Sequence, residues 1–81
     1  MNDERRTKKI FGKAVREARL RGNMSQEALA EAAGLDRTYI GGVERGERNP
    51  SLVALKKIAD GLGITLSKLF EEMQGLGRRD E

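Results

Sequence analysis

The sequence predicts an all-α fold of five short helices, on three observations. Apolar residues recur at three- and four-residue intervals rather than alternately, which is the period of a helix with one buried face. The aromatic residues that favour strands come down to Phe11, Tyr39 and Phe70. Glycines stand between the periodic stretches, and proline occurs once, at Pro50.

The first helix is expected over about 4–21, with Ile10, Phe11, Ala14, Val15 and Ala18 on one stripe and Lys9, Lys13, Arg16 and Glu17 outside it. Gly22-Asn23 stops it, because both residues tolerate the left-handed backbone of a helix end. Ser25 is placed as N-cap of a second helix over 26–33, where Glu27 suits the positive end of the dipole. Gly34 breaks the chain, and Asp36 is placed to cap a third helix that runs to about Arg45 and ends at Gly46. After the polar stretch 47–50, Ser51 opens a fourth helix whose inner face is Leu52, Leu55, Ile58, Ala59 and Leu62, and Gly63 closes it. Thr65 opens the last, with Leu66, Leu69, Phe70 and Met73 at helical spacing. Residues 75–81 read as a frayed, flexible tail.

The chain's 81 residues suffice for one domain spanning 1–81, its core expected over about 5–74. A domain of this size buries only about 60–65% of its unfolded surface. At ~0.05–0.15 kcal/mol per residue its stability is roughly 4–12 kcal/mol, a margin that pairing with a second copy would widen. Cysteine and histidine are both absent, which removes disulfides, thiolate metal sites, thiol nucleophiles and the commonest general base. No apolar run approaches the ~18 residues of a membrane span, and the charged N-terminal stretch is unlike a signal peptide. The expectation is a soluble, cytoplasmic protein with no membrane, metal, cofactor or small-molecule ligand.

Net charge is +3, but it is unevenly placed. Up to Ser25 there are eight Lys/Arg against three Asp/Glu, giving +5; the remainder carries eight against ten, giving −2. A local basic surface suits phosphate backbones or anionic lipid, although a charged helix face is often merely solvated.

The most informative stretch is 26–45. Two short helices meet at Gly34, and a tight turn between steeply crossing helices needs a residue free to take positive φ. Ala30, four residues earlier, is small enough to let the third helix approach, and Ile40 and Val43 face back into the core. Those offsets satisfy the steric demands of a helix-turn-helix, and an ordinary helical hairpin satisfies the same spacing. Gly41-Gly42 sits inside the third helix, where each glycine costs ~0.5–1 kcal/mol against alanine. Room for a DNA backbone and close packing on the second helix are both available explanations.

Gln26-Glu27-Ala28-Leu29-Ala30, Gly34-Leu35, Tyr39-Ile40, Val43-Glu44-Arg45-Gly46, Pro50-Ser51-Leu52, Leu55, Ile58-Ala59, Leu62 and Leu69-Phe70 together resemble the Xre/Cro-type helix-turn-helix regulators. The likeness runs from about Phe11 to Met73. The run Leu35-Asp36-Arg37-Thr38-Tyr39-Ile40, with Glu44-Arg45-Gly46 and Arg48-Asn49, is similar to the controller proteins of restriction-modification systems. No sensor, oligomerisation or protease segment is expected after the five helices, which agrees with that group. The resemblance implies a five-helix lambda-repressor-like DNA-binding domain acting as a homodimer on palindromic operators. It also implies regulation of its own operon, promoting transcription at low concentration and repressing at high.

By that likeness the third helix enters the major groove, and its first turn carries Arg37, Thr38 and Tyr39. Arg37 is suited to guanine O6 and N7, and Thr38 to a phosphate or a thymine methyl. Tyr39 is read either as a DNA contact or as a half-buried structural aromatic. Gln26 opens the second helix, where free backbone amides favour a phosphate. Arg48 and Asn49 resemble DNA contacts of the controller group. Arg19 and Glu44 match a charged pair bridging the first and third helices, a structural role. Ile64, Leu66 and Phe70 are the candidate dimer contacts.

Three other readings compete. An antitoxin of the same fold would bind operator DNA and a toxin protein, although such proteins often carry a toxin-binding extension. A membrane-active first helix would leave the helix-turn-helix spacing unexplained. A phosphodiesterase would need Asp36, Glu44 and Glu47 as metal ligands, residues better accounted for as a cap and an ion-pair partner.

Overall fold

A computed structural model of the chain describes residues 3–79, in which five helices and no strand are found. Residues 1, 2, 80 and 81, the ends of the expected charged leader and polar tail, lie outside the described residues. The helices are α1 (Asp3–Arg21), α2 (Gln26–Ala33), α3 (Arg37–Glu44), α4 (Leu52–Leu62) and α5 (Leu66–Arg79). The first four begin and end within a residue or so of the spacing-based expectation, because their boundaries are chemical. Ser25 Oγ accepts from Ala28 N–H, Ser51 Oγ from Ala54 N–H and Thr65 Oγ1 from Lys68 N–H. Such caps contribute ~1 kcal/mol each by satisfying amides that the helix itself leaves unpaired.

Asp36 departs from that pattern. It occupies the N-cap position of α3 in extended backbone, yet its side chain makes no capping hydrogen bond. Its exposed carboxylate stays in solvent, and the backbone carbonyl alone joins the helix by accepting from Ile40 N–H.

The core is a single cluster that draws on all five helices. Val15, Leu29, Ile40, Val43, Ile58 and Leu69 are its fully buried large members, with Ile10, Phe11, Ala14 and Ala59 between them. α3 is held from two sides, packing on α1 and on α2. The α1 contact is unusually close. A Cβ placed on Gly12 would stand 2.3 Å from the Val43 carbonyl oxygen and 2.6 Å from that of Glu44, so the last turn of α3 lies directly on α1. At the α2–α3 turn Gly34 takes φ +68, the left-handed conformation that the tight connection requires.

Two expectations are corrected. The segment from Gly75 is not a frayed tail: α5 continues to Arg79, and Leu76 is buried with 3% exposure. Leu76 extends the apolar stripe of Leu69 and Met73, and its burial offsets the ~1 kcal/mol cost of each glycine at 75 and 77. Arg6 donates to the Gly77 carbonyl oxygen at 2.9 Å, tying this last turn to α1. Leu52 does not face inward either, being 72% exposed. The buried stripe of α4 is Ala54, Ile58 and Ala59; Leu52 shares the face of Ala59, but as the first residue of α4 it stands at the open end of the helix.

Candidate nucleic-acid interface

Beneath the expected reading surface lies a buried brace. Arg19 on α1 donates from Nε to Glu44 Oε2 at 2.7 Å and from Nη2 to Oε1 at 3.0 Å, and from Nη1 to the Met24 carbonyl at 2.8 Å. Both side chains are buried, and every buried polar side-chain atom among the described residues has a partner. The hydrogen bonds that it donates to Glu44 are the main reason the guanidinium is held above its ordinary pKa, burial working the other way. This paired, two-pronged geometry is strongest out of water and fixes the end of α3 against α1. The expected structural role of Arg19 and Glu44 is the one they have.

Gln26 joins the same brace. Its Nε2 donates to Glu44 Oε1 at 3.0 Å, so the first residue of α2 is locked to the last residue of α3. The side chain is thereby oriented rather than free, and the carboxamide oxygen faces α3 near Gly41.

The brace leaves the N-terminal turn of α3 in solvent. Arg37 and Thr38 are exposed, while Tyr39 is half-buried and packs against the core. That packing is what the structural reading of Tyr39 requires, and the exposed part of the side chain leaves it accessible as well. Arg37 approaches Glu27 only at 4.0 Å with both groups well exposed, a contact of ~0–1 kcal/mol that does not commit the guanidinium. Arg48 returns from the loop after α3 and sets its guanidinium carbon 5.5 Å from the centre of the Tyr39 ring. Asn49 follows it, exposed. Arg37, Thr38, Tyr39, Arg48 and Asn49 thus come from α3 and its trailing loop, and Gln26 stands beside them at the head of α2.

One arginine in this region carries no sign in the spacing pattern. Arg45 runs back along α3 so that its Nη1 lies 3.1 Å from where a Gly41 Cβ would be. It is held by Glu47, donating from Nε at 3.0 Å and from Nη2 at 3.2 Å. The hydrogen bond from Arg45 lowers the Glu47 pKa, and the reciprocal bond raises that of Arg45. In the sequence it stands out only within the run Glu44-Arg45-Gly46, one residue past the helix and next to Gly46, whose φ is +77.

The carboxylates of the hydrolase reading are committed elsewhere, Glu44 to Arg19 and Gln26 and Glu47 to Arg45. No group of three or more acidic residues able to hold a metal ion occurs among the described residues. No helix of the described residues is long and apolar enough to cross a membrane.

The candidate dimer residues lie on another part of the molecule. Ile64 and Leu66 are half-buried against the core at the α4–α5 junction, whereas Phe70 is 41% exposed. Phe70 and Met73 border a shallow cleft of about 210 Å³ with Phe11, Pro50 and Leu55. Leu52 and Val53, in the first turn of α4 just after the Ser51 cap, are exposed, which the spacing does not indicate.

Residues 15–69 match the helix-turn-helix family model. The control protein C.MunI of Mycoplasma sp is 48% identical over 65 residues, covering 79% of this chain and 88% of that protein. The restriction-modification controller protein C.AhdI from Aeromonas hydrophila has a crystal structure that superposes with a TM-score of 0.76 at 51% identity, over 78% of this chain and 96% of that one. The controller protein C.Esp1396I, solved as a tetramer in complex with its natural 35 base-pair operator, superposes with a TM-score of 0.82 at 34% identity, over 86% and 92% of the two chains. A match of this extent to both sequence and fold leaves one assignment. The chain belongs to the helix-turn-helix family, in its group of restriction-modification controller proteins.

Proposed function

We propose that the protein is a cytoplasmic transcription regulator that binds a palindromic operator as a homodimer, placing α3 of each copy in the major groove. The observation that carries this is the exposed first turn of α3, with Arg37 and Thr38 in solvent and Arg48 stacked on Tyr39, all standing on the buried Arg19–Glu44 brace. A rigid base under solvent-facing donors is what base reading needs, because a hydrogen bond to a base edge discriminates only if its donor is held in place.

In this reading Arg37 donates in pairs to guanine, Thr38 meets a phosphate or a thymine methyl, and Tyr39 and Arg48 act as one stacked unit at the groove edge. Gln26, fixed by Glu44, presents the N-terminus of α2 to a phosphate, and Asn49 contacts the backbone beside it. A single half-site is too short to be selective in a genome, since each mismatch costs only ~1–3 kcal/mol. Two copies joined through Phe70 with Ile64 and Leu66, extended by exposed Leu52 and Val53, supply the second half-site.

As a controller, the dimer fills a strong site first and promotes transcription, then fills an adjacent site and represses. Footprinting on the DNA that flanks its own gene tests this. Protection one dimer wide at low protein and two dimers wide at saturation is expected. Protection that never widens removes the switch, and no protection at all removes the operator.

A further inference from the structure

We propose that Gly42 is a positioning residue for DNA recognition, acting through Arg48. The proposal builds on the reading of Arg48 and Tyr39 as a DNA-facing unit, and it concerns a glycine whose nearest neighbours do not belong to α2.

Glycine in mid-helix is disfavoured, so a glycine at position 42 calls for a local reason. Gly42 is α-helical in backbone and buried, with no positive φ to explain it. The space a Cβ would fill is occupied instead by the side chain of Arg48. Its Cγ and Nε would each lie 3.0 Å from that Cβ and its Cδ 3.5 Å. The nearest neighbours are therefore neither backbone nor α2. Gly12 is the contrast, since there the space is closed by the carbonyls of α3 and nothing can give way.

The missing side chain leaves a bay on the flank of α3, and the stem of Arg48 runs through it. From there the guanidinium reaches the Tyr39 ring, three residues back along the same helix, at 5.5 Å. An alanine at 42 would crowd the stem at its Cγ and Nε, so that the stem must give way and the guanidinium shifts from its place over the ring. It would leave the backbone of α3 and the Arg19–Glu44 brace untouched, because the displaced atoms belong to an exposed, flexible side chain. Gly42 thus makes no expected contact with DNA itself and sets where Arg48 can stand before DNA arrives. Preorganisation of this kind shows in affinity for the cognate site, as less ordering is left to be done on binding.

The test is a double-mutant cycle on Gly42→Ala and Arg48→Ala. It is read on a duplex enriched by the unaltered protein from a random pool, with circular dichroism melts of all four proteins. Ring-current shifts of the Arg48 side-chain protons, referenced to a Tyr39→Ala protein, report the stack without DNA. Gly42→Ala is expected to keep or raise the melting temperature and to reduce the ring-current shift. It should weaken operator binding about tenfold or more, approaching the loss seen for Arg48→Ala. In the Arg48→Ala background, where the bay is empty, Gly42→Ala should add less than a twofold further loss.

A Gly42→Ala protein that loses the stack and still binds like the unaltered protein, while Arg48→Ala binds weakly, overturns the positioning role and leaves the reading of Arg48 standing. Arg48→Ala that binds at full strength overturns both. Losses that multiply in the double variant, or a ring-current shift left unchanged by Gly42→Ala, show that Gly42 acts by some route other than Arg48.

Discussion

Arg37 and Arg19 are the same residue type put to opposite uses, and their surroundings account for the difference. Arg19 is buried, bonded on three nitrogens and closed to any ligand. Losing Glu44 would strand its charge, at a cost of ~3–5 kcal/mol. Arg37 has one distant, solvent-screened carboxylate and is open to a partner. Arg37→Ala is therefore expected to lower affinity for the cognate duplex by ~1–3 kcal/mol, about 5- to 140-fold, with little change in melting temperature. Fluorescence anisotropy on cognate and random duplexes separates the roles. An equal loss on both would make Arg37 a phosphate contact. At this scale the sequence was legible where a residue's role follows from helix position, as for Arg37 and Thr38. It was illegible for Arg45, whose partner Glu47 and whose course along Gly41 depend on how the loop folds back.

The helices themselves were legible because their ends are written in short-range chemistry. Three hydroxyl caps, at Ser25, Ser51 and Thr65, and the left-handed glycines at 34 and 63 mark where backbone hydrogen bonds run out. What periodicity could not settle was how neighbouring helices share a face. Leu52 has the spacing of a core residue, on the face of buried Ala59, and is exposed because it stands at the first position of α4. The end of α5 was misjudged for the converse reason. Two glycines and a polar run suggest fraying, but Leu76 finds a buried place against α1 that only the tertiary fold provides. Leu76→Ala is expected to destabilise the domain by ~2–5 kcal/mol. It should also raise amide hydrogen exchange selectively beyond Gly75. A change below about 0.5 kcal/mol, the range of an ordinary surface substitution, would show that this last turn is not part of the core.

Across the whole molecule, the polar and apolar surfaces are separated by task. One region gathers Arg37, Thr38, Arg48 and Asn49 around the start of α3 and its trailing loop. Another exposes Leu52, Val53 and Phe70, more large apolar surface than a small domain gains by leaving in water. α1, α2 and the Arg19–Glu44–Gln26 brace hold the reading helix fixed between them. The proposed function makes the domain a half-reader that its own second copy completes. It is tested most directly by selecting bound duplexes from a random-sequence pool with the purified protein at physiological salt, where weak non-specific binding is suppressed. Enrichment of a two-fold symmetric motif, with half-sites about one helical turn apart, is the predicted result. An enriched motif without symmetry would contradict the dimeric reading, and a pool that stays random would contradict sequence-specific regulation altogether.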